Sequence, residues 1–168
     1  MVNEMKIFGK TPSYYAEKYG GLIAGVLACC ITLIVNPSFS NWKPFIVEFP
    51  SIGMCAFGFL LTFLGIILQG NSKTITWMMS RVKLYNRFIA FNKRIVIISF
   101  VLSLYSYLIG YANLQTITDL MVPHLVHIAK SILLGIFCGL LIWFIIDTFQ
   151  FTRLFYVLIR KTEQNDIL

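Results

Sequence analysis

Four long uncharged apolar runs make up most of this 168-residue chain, and they constrain its fold more than any other feature. The runs cover residues 20–35, 51–69, 95–112 and 131–146. A helix needs roughly 20 apolar residues, and at least about 17, to cross the hydrocarbon core of a bilayer. The two middle runs have this length, and the outer two reach it with interfacial residues. Because 58% of the residues are hydrophobic and 12% are charged, a water-soluble domain of this size has no way to bury so much apolar surface.

The sequence therefore predicts an all-α integral membrane protein, with one four-helix bundle over residues 1–168. We expect the spans at about 20–36, 51–70, 94–112 and 128–148. Two amphipathic helices are expected to extend these spans into the cytoplasm, at about 72–93 in the linker between the second and third spans and at about 148–161 after the fourth. The linker helix either lies on the inner leaflet or projects inward and packs against another helix.

The connection between the first and second spans contains Pro37, Pro44 and Pro50. Proline lacks the helical N–H and its ring clashes with the preceding turn, so this stretch predicts a folded-back outer loop. None of the predicted spans contains an internal proline or a buried ion pair. Secondary transporters usually show broken helices or intramembrane charges, so a conducting pathway within one subunit is not expected.

The basic residues are distributed unevenly along a chain whose net charge is +7. Apart from Lys43 and Lys130, all of them precede the first span, lie between the second and third spans, or follow the fourth. The positive-inside rule then predicts an inner (plasma) membrane protein with both termini and the middle connection in the cytoplasm. The first 19 residues carry charges and no apolar core, so the first span itself is expected to direct insertion.

Cations on the two cytoplasmic helices form a candidate docking surface for a cytoplasmic protein partner. They are Lys73, Arg81, Lys83, Arg87, Lys93, Arg94, Arg153, Arg160 and Lys161. Contact with anionic lipid of the bilayer is the ordinary role of such charges. Direct binding of nucleic acid is not expected.

Small residues recur at four-residue spacing in two spans. They are Gly21 and Gly25 in the first span and Ser131, Gly135 and Gly139 in the fourth. Close backbone approach at small residues supplies much of the packing between helices in lipid. These runs either close the bundle of one chain or build a homo-oligomer, for which we expect a tetramer.

Asp147 is the only acidic residue near a predicted hydrocarbon segment. A carboxylate at the bilayer centre costs ~3 kcal/mol on insertion scales. Asp147 lies at the cytoplasmic end of its span, where water or the cations Arg87, Arg94 or Arg153 can satisfy it. A structural ion pair is one interpretation, and a role in a pore or gate is the other.

Motifs for catalysis are absent from the sequence, which has no H-E-x-x-H, G-x-S-x-G or Walker-type loop. We therefore predict no enzymatic activity and no cofactor. The four cysteines lie inside predicted spans without C-x-x-C spacing, so we predict no redox role for them. His124 and His127, with Asp119 nearby, are too weak a pattern to predict a metal site.

Polar residues within the spans leave two alternatives open. Ser99, Ser103 and Ser106 of the third span, with Thr62 of the second, either line a pore made by several copies or bond to their own helix backbones.

Residues 59–108, FLLTFLGIILQGNSKTITWMMSRVKLYNRFIAFNKRIVIISFVLSLYSYL, combine an apolar span, a polar break, a basic amphipathic helix with an aromatic pair, and a serine-containing span. This order resembles small membrane proteins of bacterial anti-phage loci. One is the four-span membrane subunit of the Kiwa defence system, which works with a cytoplasmic DNA-binding partner. The other is the RexB-type channel protein of phage exclusion systems. The resemblance covers architecture and no diagnostic motif, so it transfers no functional residue.

The Kiwa resemblance implies a non-enzymatic membrane sensor or scaffold of an antiviral system. Such a subunit would form a homo-oligomer and hold a soluble effector through the basic segment 73–94 and the tail 153–168. The RexB resemblance implies the alternative function, an oligomeric pore that depolarises the membrane.

Overall fold

The computed structural model describes residues 12–69, 82–111 and 123–165. Within these ranges all residues except 36–38 are helical, and none forms a strand. The helices are α1 (Pro12–Val35), α2 (Phe39–Gln69), α3 (Val82–Tyr111) and α4 (Pro123–Asn165). The predicted all-α fold is confirmed.

Each helix contains a stretch that is long and apolar enough to cross a membrane. These stretches are Lys18–Val35, Phe39–Ile66, Phe88–Tyr111 and Val126–Arg153. Only 11% of the stretch in α1, and 17% of an 18-residue apolar window within the stretch in α2, is buried inside the bundle. Many large apolar side chains therefore face outward, which is the pattern of a multi-pass membrane protein whose outer faces are covered by lipid.

The helices pack side by side in the order α1, α4, α3, α2. Each neighbouring pair is antiparallel. Gly25 of α1 lies against Gly139 of α4, Arg94 of α3 reaches Asp147 of α4, and Ser106 of α3 bonds to Ile46 of α2. The amino ends of α1 and α3 and the carboxyl ends of α2 and α4 therefore share one end of the bundle. We name this the charged end and the other the opposite end.

The core consists of two clusters of buried apolar side chains. The cluster nearer the charged end contains Leu60, Phe88, Ile95, Val96 and Phe151. The cluster nearer the opposite end contains Ile46, Phe49, Leu102, Ile109, Leu134, Phe137 and Cys138. Edge-to-face rings join the helices within each cluster, since Phe63 and Phe155 have centroids 5.0 Å apart and Phe49 and Phe137 5.6 Å apart.

Two helices run on past the ends of the predicted spans. α3 is continuous from residue 82 into the third span, and α4 continues from the fourth span to residue 165. α3 and α4 are in contact near this end, because the ring centroid of Phe88 is 5.0 Å from that of Phe151 and 6.2 Å from that of Phe155. The part of the predicted linker helix before residue 82 lies outside the described residues.

The prediction of a folded-back loop after the first span is wrong. α1 ends at Val35, and the next residue, Asn36, has a left-handed φ of 48° and donates its N–H to the carbonyl of Thr32 at 2.9 Å. α2 then begins at Phe39 and includes both Pro44 and Pro50. The second span is thus part of a helix longer than the predicted 51–70, and it does contain internal prolines.

A hydrogen bond from a neighbouring helix explains how α2 accommodates Pro50. Proline has no N–H, so the carbonyl of Ile46, four residues earlier, loses its helical donor. The hydroxyl of Ser106 donates to this carbonyl oxygen at 2.6 Å, in a fully buried position. Hydroxyl side chains of adjacent helices are a known source of such replacement bonds in membranes.

We expect Ser106→Ala to lower the free energy of unfolding by about 1–2 kcal/mol, since it strands the buried carbonyl of Ile46. In a Pro50→Ala background, Ser106→Ala should lower the free energy of unfolding much less. The reason is that alanine at position 50 restores an N–H that can bond to the carbonyl of Ile46. Denaturant titration of the four proteins in detergent measures both costs. Equal costs in the two backgrounds would show that Ser106 does not substitute for the missing donor.

Candidate functional site

A buried ion pair joins α3 and α4 near the charged end. The Nε of Arg94 lies 2.8 Å from Oδ2 of Asp147, and its Nη2 donates to Oδ1 at 3.0 Å. The Asp147 side chain is 0% exposed and that of Arg94 is 25% exposed. The two parallel contacts form the bidentate arrangement that arginine favours with carboxylates. The expectation that no span holds a buried ion pair is therefore wrong.

Further contacts tie α1 into the same network. The indole N–H of Trp143 donates to Oδ2 of Asp147 at 3.0 Å, and Nη1 of Arg94 donates to the carbonyl of Lys18 in α1 at 2.6 Å. The guanidinium carbon of Arg94 also lies 4.4 Å from the ring centroid of Phe91, within cation–π range. Directional bonds thus connect three helices at one level of the bundle.

Glycines of α1 make room for this network. A Cβ at Gly21 would overlap Oδ1 of Asp147 and lie 2.7 Å from Cδ1 of Trp143. One turn further, a Cβ at Gly25 would lie 2.7 Å from the carbonyl oxygen of Gly139. No side chain fits at either position, so glycine sets the distance between α1 and α4 here.

The second small-residue run lies in the same interface. A Cβ at Gly135 would lie 3.3 Å from Leu33 and 3.4 Å from Sγ of Cys29. Ser131, one turn earlier in α4, is half-buried. The glycines of both runs therefore pack between α1 and α4 of a single chain.

The predicted docking cations mostly sit at the charged end, with one important exception. Lys93 and Arg153 are exposed there. The backbone places Lys83 and Arg87 in α3, and Arg160 and Lys161 in α4, towards the same end. Arg94 differs, because its guanidinium is held inside the bundle by Asp147. Lys73 and Arg81 lie outside the described residues.

The opposite end carries few cations by comparison. In the described ranges these are Lys43, which is exposed near the start of α2, and Lys130, which is half-buried near the start of α4. The two ends of the bundle therefore differ strongly in positive charge.

The serines of α3 bond to backbone carbonyls within the chain. The hydroxyl of Ser99 donates to the carbonyl of Val96 at 2.9 Å, and that of Ser103 donates to the carbonyl of Ser99 at 2.8 Å. Ser106 donates to the carbonyl of Ile46, as described above. All three serines are at most 1% exposed. Thr62 is exposed on α2 and donates to the carbonyl of Gly58 at 2.8 Å.

The cysteines and the histidine whose side chains are described do not form a reactive cluster. All four cysteines are free, Cys138 is buried, and Cys30 and Cys55 are exposed. His127 is exposed near the start of α4. Among the residues that the structure describes, no group of three His, Cys, Asp or Glu side chains is placed to hold a metal ion.

Sequence reasoning missed two contributors to the ion-pair network. Trp143 precedes Asp147 by four residues, so its position on the same helix face was the available signal. Lys18 contributes a backbone carbonyl, which no side-chain pattern can reveal. The sequence offers Arg94 as one of three possible cationic partners of Asp147, and choosing it requires knowing that α3 packs on α4.

No protein-family model matches this chain, and no curated protein and no solved structure matches it either. We therefore infer its function from the charged end and from the ion-pair network beneath it.

Proposed function

We propose that this chain is a non-enzymatic sensor or scaffold subunit of the inner membrane that forms a homo-oligomer and recruits a cytoplasmic protein partner, in an antiviral defence system. The charged end would face the cytoplasm, together with both chain termini. The concentration of cations at this end is the main support for the proposal, because positive charge is retained on the inner side of membranes. It also attracts partners whose surface is acidic.

The length of α4 supports a docking role. Its apolar stretch ends at Arg153, and the helix continues over residues 154–165, a length of about 18 Å. This extension carries Arg160 and Lys161 beside the amino end of α3, which carries Lys83 and Arg87. The ring of Phe155 at the start of this extension lies 6.2 Å, between centroids, from the ring of Phe88 in α3. A partner would then meet a paired-helix surface in place of two separate helices.

The ion-pair network supports a sensing role. A stimulus can change partner binding only if the helix bundle has two arrangements that differ in affinity for the partner. The stimulus must also favour one of these arrangements over the other. The bonds from Arg94 to Asp147 and to the Lys18 carbonyl join α1, α3 and α4 through a few directional contacts. Movement of α1 relative to α3 would break the bond to the Lys18 carbonyl, and it would release one contact of the same Arg94 side chain that joins α3 to α4.

Homo-oligomerisation would need faces other than the two glycine runs. Gly25 and Gly139 already meet inside one chain, so neither is open to a second copy. Light scattering of the purified protein tests the copy number. We expect several copies per particle, with a tetramer as the leading expectation, and one copy per particle would contradict this part of the proposal.

Ion conduction is the alternative drawn from the sequence, and the serine contacts give it less support. Ser99, Ser103 and Ser106 are buried and bonded to carbonyls, so lining a pore would require α3 to turn in the bundle. We expect liposomes containing the purified protein to stay impermeable to ions. Ion flux above that of empty liposomes would favour the pore.

Charge reversal tests the docking surface. We expect Lys83→Glu with Arg87→Glu to reduce recovery of the partner from native membranes at least tenfold, because acidic residues repel an acidic surface. The measurement is quantitative co-purification with the tagged chain. Arg94 should stay intact, since its removal disturbs the bundle itself.

The matched control places the same number of reversed charges at the opposite end, as Lys43→Glu with Lys130→Glu. Partner recovery should be unchanged in this variant. Equal loss in both variants, or no loss in either, would contradict docking at the charged end.

A further inference from the structure

Apart from Arg94, which is ion-paired, three side chains have buried polar atoms without a hydrogen-bond partner among the described residues. They are Asn92 of α3, with both its amide nitrogen and oxygen, and in α4 the hydroxyl of Thr148 and Oε1 of Gln150. Gln150 lies beside Gly20 of α1. Asn92 is 0% exposed. Thr32 and Thr152, by contrast, donate to the carbonyl four residues earlier in their own helices. Unpaired polar groups are costly in a region that bulk water does not reach.

Asn92 and Thr148 lie at the same level of the bundle. The bond between Arg94 and Asp147 sets the register of α3 against α4. Asn92 is two residues from Arg94, and Thr148 is one residue from Asp147, both in the direction of the charged end. With a rise of 1.5 Å per residue, both groups lie within about 3 Å of the ion pair along the bundle axis.

They also face the same interior region. Asn92 precedes Ser99 and Ser106 by seven and fourteen residues, so it lies on the α3 face from which Ser106 contacts α2. Thr148 lies four residues after Phe144 and three before Phe151, and both of these rings pack in the core. The amide and the hydroxyl therefore point into the space that α2, α3 and α4 share.

We propose that ordered water binds in this space and bridges the Asn92 amide to the Thr148 hydroxyl beside the ion pair. Both side chains donate and accept hydrogen bonds, which supplies the two to four polar partners that a buried water needs. The ring pair of Phe88 and Phe151 lies towards the charged end of this site, and Leu102 and Leu134 lie towards the opposite end. The site is therefore internal, and its water would hydrate the polar side chains at the level of the ion pair.

A double-mutant cycle tests the bridge in the full-length protein in lipid nanodiscs. Asn92→Leu and Thr148→Val remove the polar atoms with little change of shape. Each single change should lower Tm by about 2–4 °C, because it strands the other group. The double variant should recover most of the loss. Additive losses would overturn the bridge.

Thr152→Val is the matched control for this cycle. Its hydroxyl is exposed and bonded within α4, so its effect should simply add to that of Asn92→Leu. A crystal structure of the full chain that resolves water completes the test. We expect a water peak about 2.7–3.2 Å from both groups. A direct bond between the two side chains, or no peak between well-ordered side chains, would overturn the proposal even if the cycle shows coupling.

Discussion

Replacing Arg94 with methionine is expected to lower the free energy of unfolding by about 3 kcal/mol. The change keeps an apolar stem but strands the Asp147 carboxylate, which is 0% exposed and otherwise has only the Trp143 indole as a side-chain donor in the described bundle. Breaking a buried ion pair by removing one partner typically costs about 3–5 kcal/mol. The lower end applies because Arg94 is a quarter exposed. Reversible unfolding in mixed micelles measures the loss.

A second change should rescue this variant. With Arg94→Met in place, Asp147→Asn removes the stranded charge and keeps the side-chain shape, so most of the lost stability should return. Lys93→Met is the matched control, since Lys93 is exposed on the adjacent position and its loss should change stability by less than about 0.5 kcal/mol. A double variant as unstable as Arg94→Met would mean that the stranded charge is not the cause.

Gly25→Ala is expected to lower the free energy of unfolding by about 2–3 kcal/mol. The new methyl would lie 2.7 Å from the carbonyl oxygen of Gly139 and 3.0 Å from Cβ of Trp143, so the backbones of α1 and α4 must separate. Overpacking of this kind typically costs about 1–3 kcal/mol. Separation would also move α1 away from the ion pair one turn away. The same unfolding titration measures the effect.

Gly58→Ala is the matched control, because a Cβ at Gly58 would meet no atom within 4 Å. There the better helix propensity of alanine should leave stability unchanged or raise it by up to about 1 kcal/mol. The two substitutions should therefore differ in sign. Similar effects at Gly25 and Gly58 would contradict the close contact between α1 and α4.

The four membrane-crossing stretches could be predicted from sequence because each is a long run without charge. A run such as 95–112 would expose a large apolar surface to water, and its length matches the thickness of the hydrocarbon core of a bilayer. The start of α2 could not be predicted in the same way. Pro50 disfavours a helix by any local rule, and the hydroxyl that replaces its missing donor comes from Ser106, 56 residues later in the chain.

The candidate site was predictable only in part for the same reason. A lone Asp147 at the end of a span indicates that a cation lies nearby, but three arginines had suitable positions in sequence. Which one pairs depends on the order of the helices in the bundle, and that order is set by contacts such as Gly25 with Gly139. Asn92 carried a signal in its seven-residue spacing from Ser99, but spacing alone does not show whether a polar side chain finds a partner.

Labelling from each side of the membrane tests most directly whether the charged end lies in the cytoplasm. In a variant whose cysteines at 29, 30, 55 and 138 are replaced, a single cysteine is introduced as Lys93→Cys or as Lys43→Cys, both exposed positions. A membrane-impermeant maleimide added to intact cells should label the cysteine at 43 and reach that at 93 only after permeabilisation. Labelling of position 93 from outside, or of both positions from one side, would contradict the proposed topology.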